Sequence, residues 1–190
     1  MSNHFSSSVH RIVIHVIMGS YMLCIPYTFA LQSDRNEATQ LSADKAEFDD
    51  VAQQYLLFGN AKITKGTLSI KGAKAVIVVD PEGYQKINVS SGPKHLAYFS
   101  QKMDGPGNYF SEGQGETILY DAKSETLLIK GQASVKRRSG LALKDKIIAQ
   151  EINYDLASEK YRASATSRSA PVKSILAPKN KTSDTLIDPK

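Results

Sequence analysis

The sequence predicts an all-β protein assembled from repeated antiparallel hairpins, and three observations carry that prediction. Across residues 41–165, short alternating apolar segments are separated by Gly, Pro, Asp and Asn, so a two-residue period dominates. No helical face emerges over the same stretch, and residues 34–44 are the only place where a short helix or disorder fits. A hairpin unit also recurs. Ala46-Glu47-Phe48-Asp49, Ile118-Leu119-Tyr120-Asp121 and Ile152-Asn153-Tyr154-Asp155 each place an apolar residue, a spacer, an aromatic and an aspartate in order. Tyr55, Leu127 and Tyr161 then follow seven residues beyond each aromatic and open the next alternating run.

The chain begins with a polar leader carrying Arg11, then the apolar run of residues 12–25, then Pro26 and Thr28-Phe29-Ala30. Apolar core, terminating proline and small residues at 28 and 30 predict a signal peptide over residues 1–30, cleaved after Ala30. The run is interrupted by His15, Gly19 and Ser20, which makes it a poor membrane span. Residues 31–40 are expected to form a flexible start, and residues 41–178 the domain. Within the domain, Tyr55, Leu57, Gly59, Ala61 and Ile63 share one phase, Leu68 and Ile70 follow Lys65-Gly66, and the run at 73–79 ends at Asp80-Pro81-Glu82-Gly83. The aspartates of the repeat are expected to start turns by bonding their own backbone. A short last strand is expected at 172–176, and the polar residues 179–190 are expected to be disordered.

Composition removes several kinds of chemistry. Cys24 is the only cysteine and lies in the leader, and His95 is the only histidine beyond it. A Cys/His zinc site, a disulfide framework and a Cys-His nucleophile pair each need residues that the exported chain lacks, so no metal, cofactor or catalytic residue is assigned. Cys24 follows Tyr21-Met22-Leu23 rather than small residues, which argues against a lipid anchor. Beyond the leader, 23 basic residues stand against 19 acidic ones, and the excess sits mostly after Thr166. A folded body so close to neutral gives little support for nucleic-acid binding, although Lys136-Arg137-Arg138 forms a local basic cluster.

With the hairpins in view, the chain resembles the OstA-like family. The resemblance runs through residues 43–49, 57–66, Phe99-Ser100-Gln101-Lys102, Glu112-Gly113-Gln114-Gly115, Tyr120-Asp121 and Gly131-Gln132-Ala133, and through the closing stretch 172–178. It implies an antiparallel β-jellyroll, open at both ends, that holds the acyl chains of lipopolysaccharide (its lipid A part) in the periplasm. It also implies head-to-tail self-association, and docking between an inner-membrane lipopolysaccharide extraction complex and an outer-membrane translocon. Residues 144–151 look longer than the family's usual hairpin, which leaves the register around residues 141–155 open.

Stacked hairpins build one elongated two-sheet core, because a single hairpin cannot bury its apolar face. A lipid with several acyl chains needs such a long apolar trough, since each buried methylene contributes roughly 0.8 kcal/mol, and it needs cations near the rim for its phosphates. By phase, Leu57, Ile63, Leu68, Ile70, Ile118, Tyr120, Leu127, Ile129, Val135, Ile152 and Tyr154 face inward, and the resemblance adds Phe99. Each of these also serves ordinary core packing. Two other functions fit parts of the pattern. One is a structural repeat protein that polymerises through strand edges. The other is a polysaccharide-active β enzyme using paired carboxylates among Asp49, Asp50, Asp121 and Asp155, all at positions where a turn wants aspartate anyway.

Overall fold

The computed structural model describes residues 34, 36–103, 108–165 and 171–176. The expected leader and the tail of residues 179–190 lie outside the described residues. Twelve strands follow in chain order: β1 (Thr39–Ser42), β2 (Lys45–Asp49), β3 (Gln54–Lys65), β4 (Leu68–Val79), β5 (Gln85–Ser90), β6 (Ala97–Lys102), β7 (Tyr109–Gly115), β8 (Thr117–Asp121), β9 (Thr126–Ser139), β10 (Ala142–Asp155), β11 (Lys160–Ser164) and β12 (Lys173–Leu176). All pairings are antiparallel.

The long strands β3, β4, β9 and β10 each pair with different partners along their two halves, and this divides the sheet into two layers. One layer runs β2-β3-β4-β5-β8-β9-β10-β11 and the other β1-β3-β4-β6-β7-β9-β10-β12. The result is the expected jellyroll. Among the described residues no strand covers the outer edge of β1 and β2 at one end, or of β11 and β12 at the other.

Two of the bends are built alike. β3 turns at Gly59-Asn60 and β9 at Gly131-Gln132, all four with positive φ, and the ladder loses register at both places. Asp44 serves the first bend: its N–H donates to the Gly59 carbonyl at 2.9 Å, and its carboxylate accepts from the Asn60 amide at 2.9 Å. Glu116 does the same at the second, toward the Gly131 carbonyl and the Gln132 amide, both at 2.9 Å. A side chain at Gly59 or Gly131 would strike the very carboxylate that caps the bend. The two extra residues carry left-handed backbone, which sharpens the local twist and lets one strand serve both layers.

The repeat read from the sequence is borne out in register. Phe48 lies opposite Tyr55, Tyr120 opposite Leu127, and Tyr154 opposite Tyr161. Each aspartate holds its turn. Asp49 accepts the N–H groups of Val51 and Ala52, Asp121 those of Lys123 and Ser124, and Asp155 that of Ser158.

Two details depart from expectation. Residues 34–44, read as room for a short helix or disorder, hold helical Asp34 and Asn36 and then all of β1, which pairs with Lys62–Lys65 and whose first two residues fall in the flexible start assigned to 31–40. With Leu41 its only large apolar residue, so short a strand is fixed by its neighbour rather than by its own alternation. The register of β10 is also resolved: Lys144 is an extra residue opposite the step from Arg138 to Arg137, and a second irregularity between Ala149 and Glu151 faces the β9 bend.

Candidate ligand-binding interior

The inward face of the first layer consists of two complete cross-strand rows. One runs Ala46, Leu57, Ala75, Val89, Ile118, Ile129, Ile152, Ala163 across all eight strands. The other runs Phe48, Tyr55, Ile77, Ile87, Tyr120, Leu127, Tyr154, Tyr161. Every position is apolar or aromatic. At a spacing of about 4.8 Å per strand, the rows extend for roughly 33 Å from edge to edge. The second layer faces them with Leu41, Ile63, Ile70, Phe99, Gly113, Val135 and Ile147 in one row.

All the side chains expected to face inward do so: Leu57, Ile63, Leu68, Ile70, Phe99, Ile118, Tyr120, Leu127, Ile129, Val135, Ile152 and Tyr154 are between 0 and 6 % exposed and belong to one cluster. Phe99, placed by resemblance alone, stacks on Tyr154 of the opposite layer at 5.9 Å, and Tyr154 stacks on Tyr161 at 4.3 Å. The glycines of Glu112-Gly113-Gln114-Gly115 make room for this packing. A Cβ at Gly113 would collide with the Phe99 ring, and one at Gly115 would sit 2.6 Å from Ile129 Cγ2.

Sequence reasoning missed Ala75, Ile77, Ile87 and Val89, which complete the two rows. The signal was present but ambiguous. Residues 75–79 are a continuous apolar run, and only pairing decides that Ile77 points inward while Val78 is 39 % exposed on the outer face. It also missed Gln101 and Ser111, the buried polar residues of the interior among the described residues.

The polar groups are arranged around this interior. Burial raises the hydroxyl pKa of Tyr154 and Tyr161 above the ordinary tyrosine value, and Tyr161 shares a 2.8 Å hydrogen bond with Ser111. The turn N–H of Ser158 lowers the Asp155 carboxyl. Asp49, Asp121 and Asp155 sit on three separate hairpin turns and accept backbone N–H groups there, with Asp50 beside Asp49 on the first turn. The basic cluster is largely neutralised: Lys136 and Arg138 pair with Glu112 at 3.0 and 3.3 Å, and Arg137 pairs with Asp145. On the outer surface, Lys62, Lys71, Lys94 and the exposed His95 border a cleft of about 660 Å³. Val76, Val78, Leu119 and Leu128 border another of about 530 Å³.

Comparison with known proteins agrees with this architecture. The model of the family described as LptA/(LptD N-terminal domain) LPS transport protein matches residues 40–160. The lipopolysaccharide export system protein LptA of Haemophilus influenzae is 24% identical over 163 residues, covering 86% of this chain and 90% of that protein. The export system protein LptH of Pseudomonas aeruginosa is 28% identical over 119 residues, covering 63% and 66%. The crystal structure of LptH, described as the LptA-homologous periplasmic component of the lipopolysaccharide transport device of that organism, superposes with a TM-score of 0.67 at 22% identity, covering 77% of this chain and 99% of that one. The match spans both layers and bears out the resemblance carried by the hairpin motifs: the chain belongs to the LptA/(LptD N-terminal domain) family of lipopolysaccharide transport proteins.

Proposed function

We propose that this protein carries lipopolysaccharide across the periplasm, holding its acyl chains between the two layers of the jellyroll and performing no chemistry on them. The observation that carries the reading is the pair of apolar rows spanning all eight strands of one layer and ending at open edges. An enzyme pocket would close around its substrate, whereas a face continuous from edge to edge suits a ligand handed from one copy to the next. The relatives that share the family are export-system proteins, which supports the same assignment.

Transfer across the periplasm needs contact at both ends. Phe48 on β2 is 61 % exposed, and Ile175 and Leu176 on β12 are 51 and 77 % exposed. Unpaired edges carrying exposed apolar side chains template strand addition. Those edges support head-to-tail stacking of copies, and the family resemblance supports an inner-membrane extraction complex and an outer-membrane translocon at the two ends of the stack. Export rests on the leader, so protein recovered from the periplasm should begin at Leu31 by mass spectrometry; a mature chain still starting at Met1 contradicts this placement.

Photo-crosslinking tests the trough directly. Probes at Ile118, Leu127 and Ile129 should capture lipopolysaccharide, while probes at Leu119, Leu128 and Lys130 should not, because one residue of shift changes the face. Equal capture at both sets, or at neither, overturns the assignment.

A further inference from the structure

Within the second layer, one inward cross-strand row breaks the apolar pattern. Gln101 of β6 lies opposite Ser111 of β7, Ser111 opposite Arg137 of β9, and Arg137 opposite Asp145 of β10. The row sits two residues beyond the Phe99, Gly113, Val135 and Ile147 row in the same phase. Its outer half is a bound ion pair, with Arg137 Nε donating to the Asp145 carboxylate at 2.7 Å. Its inner half is different. Gln101 is 2 % exposed and Ser111 fully buried, yet Gln101 Oε1 finds no hydrogen-bond partner among the described residues.

A buried carbonyl oxygen without a donor is uncommon in a settled core and asks for an explanation. Its surroundings supply one. Ser111, which faces Gln101 across the ladder, shares its hydroxyl with the Tyr161 hydroxyl at 2.8 Å, so the row carries rotatable hydroxyls as well as the unpaired acceptor. Met103 and Tyr109, two residues along from Gln101 and Ser111, border a cleft of about 420 Å³ with Arg137, Lys144 and Glu159, next to this end of the interior. Free acceptor and adjacent hydroxyl together suit a ligand hydroxyl, which donates to the first and accepts from the second. An amide N–H would satisfy only the acceptor, and a plain methylene neither.

We propose that Gln101, with Ser111 and Tyr161, forms a polar subsite inside the trough that selects acyl chains bearing a hydroxyl group. This rests on the lipid-carrier reading above and names the chain chemistry that the carrier prefers. The apolar rows hold the methylenes without discrimination; this polar row sets which chains seat fully.

The test uses the full mature chain and two synthetic acylated disaccharides of equal chain length, one with 3-hydroxyacyl chains and one with unsubstituted chains. Wild type should bind the hydroxylated lipid about tenfold more tightly, since its partner would otherwise leave a buried acceptor unpaired. Gln101→Met keeps the side-chain volume and removes the acceptor. It should bind both lipids equally, with its ligand-free melting temperature unchanged or raised, a combination that a merely structural glutamine would not produce. If Gln101→Met folds poorly, Ser111→Ala should still reduce the preference several-fold. Equal binding of the two lipids by wild type, or a preference that survives in Gln101→Met, overturns the subsite while leaving the carrier intact. Failure of wild type to bind either lipid ends both.

Discussion

Tyr154 and Tyr161 stack at a centroid distance of 4.3 Å and an interplanar angle of 11° across the last hairpin, directly opposite one another in register. The pair is the third copy of the aromatic-plus-seven spacing. At the other end Phe48 is exposed and Tyr55 half-buried, whereas Tyr154 is fully buried beneath Phe99 with the half-buried Tyr161 on its other side.

Burial makes the pair sensitive to alkali. Burial raises both hydroxyls above the ordinary value of 10.0, so the unfolded chain loses these protons before the folded chain does. Their contribution is fully present below pH 10 and is lost as the pH rises toward the folded values, at up to about 1.4 kcal/mol per pH unit for each tyrosine. Melting temperature should therefore fall more steeply above pH 10 in wild type than in Tyr154→Phe. Parallel profiles would show that Tyr154 ionises freely in the folded state.

The repeated aspartates should act on stability and leave ligand binding alone. Asp121 Oδ1 accepts two backbone N–H groups, from Lys123 at 2.9 Å and Ser124 at 3.2 Å. Asp121→Ala should cost about 1 kcal/mol in denaturant unfolding, the usual worth of such bonds. Lipopolysaccharide affinity should be unchanged. A large loss of affinity at unchanged stability would instead revive the carboxylate reading.

Much of this was legible because period two and the Phe48, Tyr120 and Tyr154 repeats are local signals. They name the hairpins, the turn aspartates and the inward phase from Leu57 through Tyr154. What escaped depends on pairing. Thr39–Ser42 is a strand only because Lys62–Lys65 lies beside it, and Ile77 is inward only because β5 sets its face. Gln101 escaped for another reason. It stands two residues after Phe99, squarely in the inward phase, but a polar residue there looks like the end of an apolar run rather than part of the interior.

The edges should control assembly without affecting the fold. The purified chain should grow beyond a dimer with concentration by light scattering. Ile175→Lys with Leu176→Lys adds charge to an edge already more than half exposed, so it should stop growth while changing stability by only about 0.5 kcal/mol or less. A strictly monomeric wild type at high concentration would remove the bridge from the proposal.

Ile129 decides whether the interior is a lipid path or a closed core. It is 0 % exposed, packs opposite Ile118 and Ile152, and touches the space kept clear at Gly115. Ile129 is fully covered by these neighbours, so acyl chains reach it only if the layers part and side chains yield to them. A charge at Ile129 would sit in a dry core and unfold the chain before it could report on binding. Ile129→Ala is more informative. It should cost about 2–4 kcal/mol in the free protein through lost burial and the cavity left behind. A ligand whose chains occupy the interior should fill that cavity, so saturating lipopolysaccharide should raise the melting temperature of Ile129→Ala by more than it raises that of wild type. The same substitution on the outer face, Leu128→Ala, should show no such difference. If lipopolysaccharide stabilises wild type and Ile129→Ala equally, the chains bind elsewhere and the two apolar rows are ordinary core.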